Sequence, residues 1–283
     1  MQVHLSAITH PGHERENNED AFAFCPDIAH PQWTHSTATI KQSLGALGTL
    51  IIVADGIGGF NAGEVASDIA IRSATDTFTS EAAEQALQSE TKQTELLRQV
   101  IANANEAINQ HIIEDFHTVG MGTTIVMAWI LPQCSHIAWC GDSRCYLYTP
   151  EDGLQAVTQD HSYVQQLVDK GEITPEEALT HPDGNIITRA LGDVDCPSEP
   201  EIITIPTHAN CTFLLCTDGL CGYIPNATIE HVLHSHHQHP QQCRDALLQL
   251  ALDAGGYDNI AIAVAYLSDS RPTFFQKIFN IKP

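Results

Sequence analysis

The sequence predicts an α+β fold built in layers, not a doubly wound parallel sheet, and two observations carry that prediction. Strand-like runs at residues 123–131, 136–140 and 145–149 are separated by gaps of only four residues. Gaps that short forbid helical crossovers, so this part of the sheet must be antiparallel and joined by hairpins. The elements also arrive in blocks: strands, a helix pair, antiparallel strands, more helices and a last strand. A doubly wound fold would alternate them.

Val3, Leu5 and Ala7 alternate with polar neighbours, as in a half-buried first strand. Polar, turn-prone residues 10–20 lead to a second strand over 21–25, and residues 26–43 read as a loop. The run Leu50-Ile51-Ile52-Val53-Ala54 is long enough for one buried strand, and it ends in Asp55 followed by Gly56, Gly58 and Gly59. Strand, acid and permissive backbone place a charge at the rim of a sheet before a sharp turn. Ala62, Val65, Ala66 and Ile69 fall on one helical face, and Leu97, Val100, Ile101, Ala104, Ile108 and Ile112 form a longer stripe. The polar residues 80–95 between them read as a connecting loop. Thr174-Pro175-Glu176-Glu177 has the capping threonine, first-turn proline and following glutamate of a helix start. A short strand over 213–216, helices over 226–235 and 240–253 and a final strand over 260–267 complete the chain.

The 283 residues are 43% hydrophobic and 17% charged, enough to bury a sizeable core. Thirty-five acidic residues against 12 basic ones give a formal charge of −23, which repels nucleic acid and anionic membrane surfaces and accommodates divalent cations. Nine cysteines occur without a C-x-x-C pair, and Cys25, Cys140, Cys145, Cys211 and Cys216 lie in or beside apolar runs. They read as reduced core thiols. The first residues carry no basic segment leading into an apolar one, and no apolar run reaches the roughly 20 residues that span a bilayer. The expectation is a cytoplasmic protein with no membrane or nucleic-acid partner.

Five acids share one placement. Asp20 precedes the second strand, Asp55 ends the third, Asp142 sits in a Gly-Asp-Ser-Arg hairpin turn, Asp218 follows 213–216 and Asp258 precedes the last strand. Each alone is ordinary turn chemistry. Strands that share a core would crowd several of these ends at one rim, where each carboxylate pair at 4 Å repels by about 4 kcal/mol at an effective dielectric near 20. Protons or cations must offset this, and an all-oxygen donor set favours Mg²⁺ or Mn²⁺.

Arg15-x-x-Asn18-Glu19-Asp20, Asp55-Gly56-x-Gly58-Gly59, Gly120-Met121-Gly122-Thr123-Thr124, Gly141-Asp142-Ser143-Arg144, Asp160-His161-Ser162, Thr217-Asp218-Gly219 and Asp258-Asn259 stand in one order. In that order the chain resembles the metal-dependent protein phosphatases of type 2C, most of all the compact bacterial members, over roughly residues 3–267. The resemblance implies a four-layer α-β-β-α sandwich, two antiparallel sheets flanked by pairs of helices, with a metal cleft at one end. It implies one catalytic domain over 1–268, with a flap-like segment at 161–190 and a tail at 269–283. Two Mn²⁺ or Mg²⁺ ions would bind. Asp55 would bridge both, the Gly56 carbonyl would hold one, Asp218 and Asp258 the first, and Glu19 and Asp20 the second. Arg15 would clasp the substrate phosphate bidentately. The activity implied is hydrolysis of phosphoserine and phosphothreonine in proteins by a hydroxide bridging the two ions, opposing a Ser/Thr kinase, with the enzyme expected to be a monomer.

The chain departs from better-known members twice. Ile57 stands where many carry a histidine proposed to protonate the leaving group. Gly222 stands where many carry a further aspartate, so a third ion held by Asp142 and Asp218 would be weak. No cysteine has an arginine six residues later, so the Cys-x5-Arg signature of cysteine phosphatases is missing. The histidines His231, His234, His236, His237 and His239 read as a solvated helix end, and the apolar tail around Phe274, Phe275 and Phe279 as packing back on its own domain. A catalytically silent phospho-binding module on the same fold is the alternative function, and a small-molecule phosphoesterase a third.

Overall fold

The computed structural model describes residues 1–58, 62–192 and 197–269, with the backbone alone at 176. In chain order the strands are β1 (Gln2–His10), β2 (Asp20–Cys25), β3 (Ala38–Ser43), β4 (Thr49–Ile57), β5 (Gly122–Thr123), β6 (Ile125–Ile130), β7 (Cys134–Cys140), β8 (Arg144–Thr149), β9 (Gly153–Ala156), β10 (Glu201–Pro206), β11 (Cys211–Cys216) and β12 (Ile260–Ser268). The α-helices are α1 (Gly63–Thr77), α2 (Ser80–Ala86), α3 (Glu90–Glu114), α4 (Tyr163–Asp169), α5 (Pro175–Ala178), α6 (Asp218–Cys221), α7 (Asn226–His236) and α8 (Pro240–Asp253).

One sheet runs β3-β1-β12-β11-β8-β9 and the other β10-β7-β6-β4-β2, with β5 paired to β4, and the paired strands are antiparallel. The two-residue period of each strand sorts its side chains between two cores. In β4, Ile51 and Val53 face the other sheet while Leu50, Ile52 and Ala54 face the helices α1 and α3. In β12, Ala261, Ala263, Ala265 and Leu267 fill the inter-sheet layer, and Ile260, Ile262 and Val264 pack under α7 and α8. The result is helices, sheet, sheet, helices, as the resemblance implied.

Four local readings are corrected. The span 26–43 includes β3, whose residues alternate between half-buried and exposed at the sheet edge. Such an edge strand needs no apolar run. Residues 80–95 are not a loop: α2 begins behind Thr79, which accepts the Ala82 N–H, and α3 starts at Glu90 behind Ser89, which accepts the Lys92 N–H. Strand β4 does not end at Asp55 but continues to Ile57, because Gly56 and Ile57 pair with Thr123 and Gly122. Residues 141–143 are not a hairpin turn either, since β7 pairs with β6 and β10 while β8 pairs with β11 and β9. That turn passes from one sheet to the other. Gly141 makes it with φ +114°, where a side chain would strike Thr124.

Among the described cysteines, Cys25, Cys145, Cys211, Cys216, Cys221 and Cys243 are buried free thiols and Cys134 is a half-buried one, while Cys140 is buried. Among the described residues no helix is long and apolar enough to cross a membrane. The apolar tail lies outside the described residues beyond Asp269.

Candidate active site

The acids meet across the two sheets. Asp20 and Asp55 face each other in the β2–β4 register, while Asp218 opens α6 directly after β11 and Asp258 lies just before β12. Asp20 is 5% exposed, and the Thr217 hydroxyl donates to its Oδ2 at 2.6 Å. The same hydroxyl accepts the Ala261 N–H at 2.9 Å, so one threonine joins the two sheets at the cluster. Asp20 Oδ1 is buried with no partner.

The backbone of Asp55 is fixed from both sides. Its N–H donates to Thr124 Oγ1 at 3.1 Å, and its carbonyl accepts from the Thr124 N–H at 2.9 Å and the Thr123 hydroxyl at 2.8 Å. Thr124 Oγ1 also contacts Ser143 Oγ at 2.7 Å, which ties Asp55 to the turn bearing Asp142. The loop carrying Arg15 and Glu19 is held by Asn259. Gly56 must lack a side chain, since a Cβ there would lie 2.7 Å from the Glu19 carbonyl oxygen and strike that of Gly63.

Burial and mutual repulsion dominate the electrostatics. Burial first, then Asp20, Asp218 and Asp142, pushes the Asp55 carboxyl well above the usual range. Asp20 is raised by burial and then by Asp218 and Asp258, against the hydrogen bond from Thr217. Asp142 is raised by burial, then Asp218 and Asp160. Asp218 is pushed up to about 6 by burial, then Asp258. Glu19 is raised by burial and by Glu64, whose Oε2 is likewise buried without a partner. Carboxyls so placed attract protons or cations.

Among the described residues no three His, Cys, Asp or Glu side chains are already arranged around one point as a metal cage. The carboxyls instead act on one another through their charge: Asp20, Asp218 and Asp142 raise Asp55, and Asp218 and Asp258 raise Asp20, in each case after burial. The chemistry of the set still suits hard divalent ions. Its donors are all oxygen, one buried carboxylate oxygen has no partner, and the repulsion is of the kind only positive charge relieves.

The predicted residues therefore assemble, with one rearrangement. Arg15 Nη2 sits 2.8 Å from Asp258 Oδ2, the two side chains being 54% and 24% exposed. The guanidinium thus rests on one of the acids. Ile57 is half-buried at the end of β4 and offers no proton. At Gly222 a Cβ would lie 2.7 Å from the Asp218 carbonyl oxygen. The histidines in and just after α7 lie apart: His231, His234 and His239 are exposed, and His234 Nδ1 is 3.1 Å from the Tyr148 hydroxyl.

Sequence reading quoted Thr217, Asn259, Arg144 and Asp160 within motifs but gave them no role, and it missed Glu64. Arg144 grips Asp160 bidentately, Nε to Oδ1 at 2.7 Å and Nη2 to Oδ2 at 2.6 Å. His161 next to it accepts the Gly141 N–H at 3.1 Å and so fixes the residue before Asp142. Most of these stand beside a motif acid, which was the available signal.

Residues 14–253 match the protein phosphatase 2C family. The serine/threonine phosphatase stp of Listeria innocua is 38% identical over 213 residues, 75% of this chain and 82% of that protein. The crystal structure of the Mycobacterium tuberculosis serine/threonine phosphatase PstP/Ppp superposes with a TM-score of 0.76 at 30% identity, covering 95% of this chain and all (100%) of that one. The catalytic domain of PstP in complex with two manganese ions gives a TM-score of 0.73 at 29% identity, covering 95% of this chain and 100% of that one.

Proposed function

Because this chain belongs to the protein phosphatase 2C family and is a metal-dependent serine/threonine protein phosphatase, we propose that its carboxylate cluster holds two Mn²⁺ or Mg²⁺ ions. Asp55 would serve both, with the Gly56 carbonyl beside it. Asp218 and Asp258 would hold the first ion, Glu19 and Asp20 the second. The observation that supports this assignment is the seam between the sheets, where Asp20 is buried and Asp55, Asp142 and Asp218 are half-buried, and where neighbouring acids raise each carboxyl's affinity for positive charge. When bound, such a pair of ions acidifies water near neutral pH and offsets charge on the phosphoryl oxygens.

The chain's own residues do the rest. Arg15 is exposed enough to swing from Asp258 to the substrate phosphate, where its fork suits two oxygens. Thr217 favours the ionised form of Asp20 by donating to it, against the burial that raises that carboxyl, and Thr123 and Thr124 hold the Asp55 backbone still. Asp142 and Asp218 alone would give a third ion weak support, because Gly222 adds no carboxylate. With Ile57 at the end of β4, the leaving alkoxide must take its proton from solvent in the cleft.

The substrates proposed are phosphoserine and phosphothreonine proteins in a cytoplasmic signalling pathway, opposed by a Ser/Thr kinase, with residues 1–268 acting as one monomeric catalytic domain. The test is Mn²⁺-dependent phosphate release from a phosphothreonine peptide. Asp55→Asn or Asp218→Asn should reduce it by at least about a hundredfold, the scale on which a single preorganised electrostatic group acts. Full activity in both variants would refute the assignment.

A further inference from the structure

Two tyrosines stand beside the cluster, and packing explains neither. Tyr223 is 45% exposed and Tyr257 54% exposed, yet their ring centroids lie 5.7 Å apart with planes tilted by 39°. Tyrosine usually buries its ring and wets only its hydroxyl. Both are tied to the acids by position: Tyr257 immediately precedes Asp258, and Tyr223 follows the short helix α6 that opens at Asp218. Burial raises the Tyr223 hydroxyl, and Asp218 and Asp258 raise it further, which puts that ring within reach of their charge.

The pair is held in place. Gly255 and Gly256 have φ of +126° and +55°, and a side chain at Gly255 would run into the Tyr257 ring. The Gly256 carbonyl accepts the N–H groups of His13 at 2.7 Å and Glu14 at 3.4 Å. That fastens the loop bearing Tyr257 to the loop bearing Arg15, where Glu14 and Glu16 are both exposed.

Resting on the phosphatase reading above, we infer that Tyr223 and Tyr257 form a platform for the side chain next to the phosphorylated residue, and that it selects arginine or lysine there. A tyrosine face attracts a cation, a guanidinium above all. Glu14 and Glu16 add complementary charge, on a chain of formal charge −23. Arg15 and the Tyr223 hydroxyl are near enough to interact, so with the phosphate on Arg15 the neighbouring residue of the substrate would reach the rings.

The test is a panel of phosphothreonine peptides carrying Arg, Lys, Ala, Leu or Glu on either side of the phosphothreonine, assayed with the full chain and Mn²⁺. The Arg and Lys peptides should exceed the Ala peptide in kcat/KM by about tenfold, within the range of cation–π contacts. Tyr223→Ala and Tyr257→Ala should each bring that ratio towards one, mainly through KM, and Tyr257→Phe should preserve it. An equal kcat/KM across the panel, or a ratio unchanged in both alanine variants, overturns the platform and leaves the phosphatase reading intact. Damage to the fold would slow all peptides alike and so leave the ratio unchanged. Absence of turnover with every peptide overturns both readings.

Discussion

Asn259 accepts the Glu19 N–H on Oδ1 at 2.7 Å and donates through Nδ2 to the carbonyls of Pro11 and Asn17, at 3.0 and 2.8 Å. Only 5% exposed, it satisfies three backbone groups of the loop that presents Arg15 and Glu19. Asn259→Ala should cost about 1–3 kcal/mol, the cost of leaving buried polar groups without partners. Loosening that loop should also raise KM for phosphopeptide. Urea unfolding and steady-state kinetics check both halves, and a stability loss with an unchanged KM would mean that the loop does not depend on Asn259 for its shape. The acids themselves were legible in the sequence because each stands beside a strand. Their supporters were not. Thr217 donates to an aspartate 197 positions away, and no local pattern announces a bond across that separation.

Strand β7 is joined to its surroundings by a buried imidazole. His136 is fully buried (0% exposed), with Nδ1 3.0 Å from the Thr204 hydroxyl of β10 and Nε2 2.9 Å from Gln93 Oε1 of α3. A neutral ring satisfies both, accepting at one nitrogen and donating at the other. Burial lowers its pKa from the usual 6.5, so the unfolded chain takes up this proton first as pH falls. Its contribution to stability is therefore complete above about pH 6.5 and is lost as pH drops from there towards the folded-state value. The destabilisation caused by His136→Asn should accordingly be larger at pH 7.5 than at pH 5.5, as compared by urea unfolding of the two proteins. A constant difference would show that folding leaves the imidazole's pKa unshifted. Elements with a strong apolar period, such as β4, α3 and β12, were readable from the sequence. Strand β3 and helix α2 were not, because an edge strand of polar residues and a short helix buried through alanines carry little periodic signal.

At the scale of the molecule, the antiparallel layers followed from short gaps, but the passage from β7 to β8 did not. A four-residue gap permits a hairpin, and only the packing of two sheets decides that this one crosses instead. If the cluster holds ions in the folded state alone, Mn²⁺ at a hundredfold its dissociation constant should stabilise the chain by about 2.7 kcal/mol. Calorimetry should record a higher melting temperature, reversed by a chelator and largely missing from Asp55→Asn. A melting temperature indifferent to the ion would overturn the assignment without any assay of activity. The crossing has one more consequence. Asp20 and Asp55 ride on one sheet, Asp218 and Asp258 at the strand ends of the other, and Asp142 on the bridge between them. The inter-sheet hydrocarbon therefore works as a spacer that sets the gauge of the cleft, and a methyl group removed from that layer would detune ion affinity before any strand came apart.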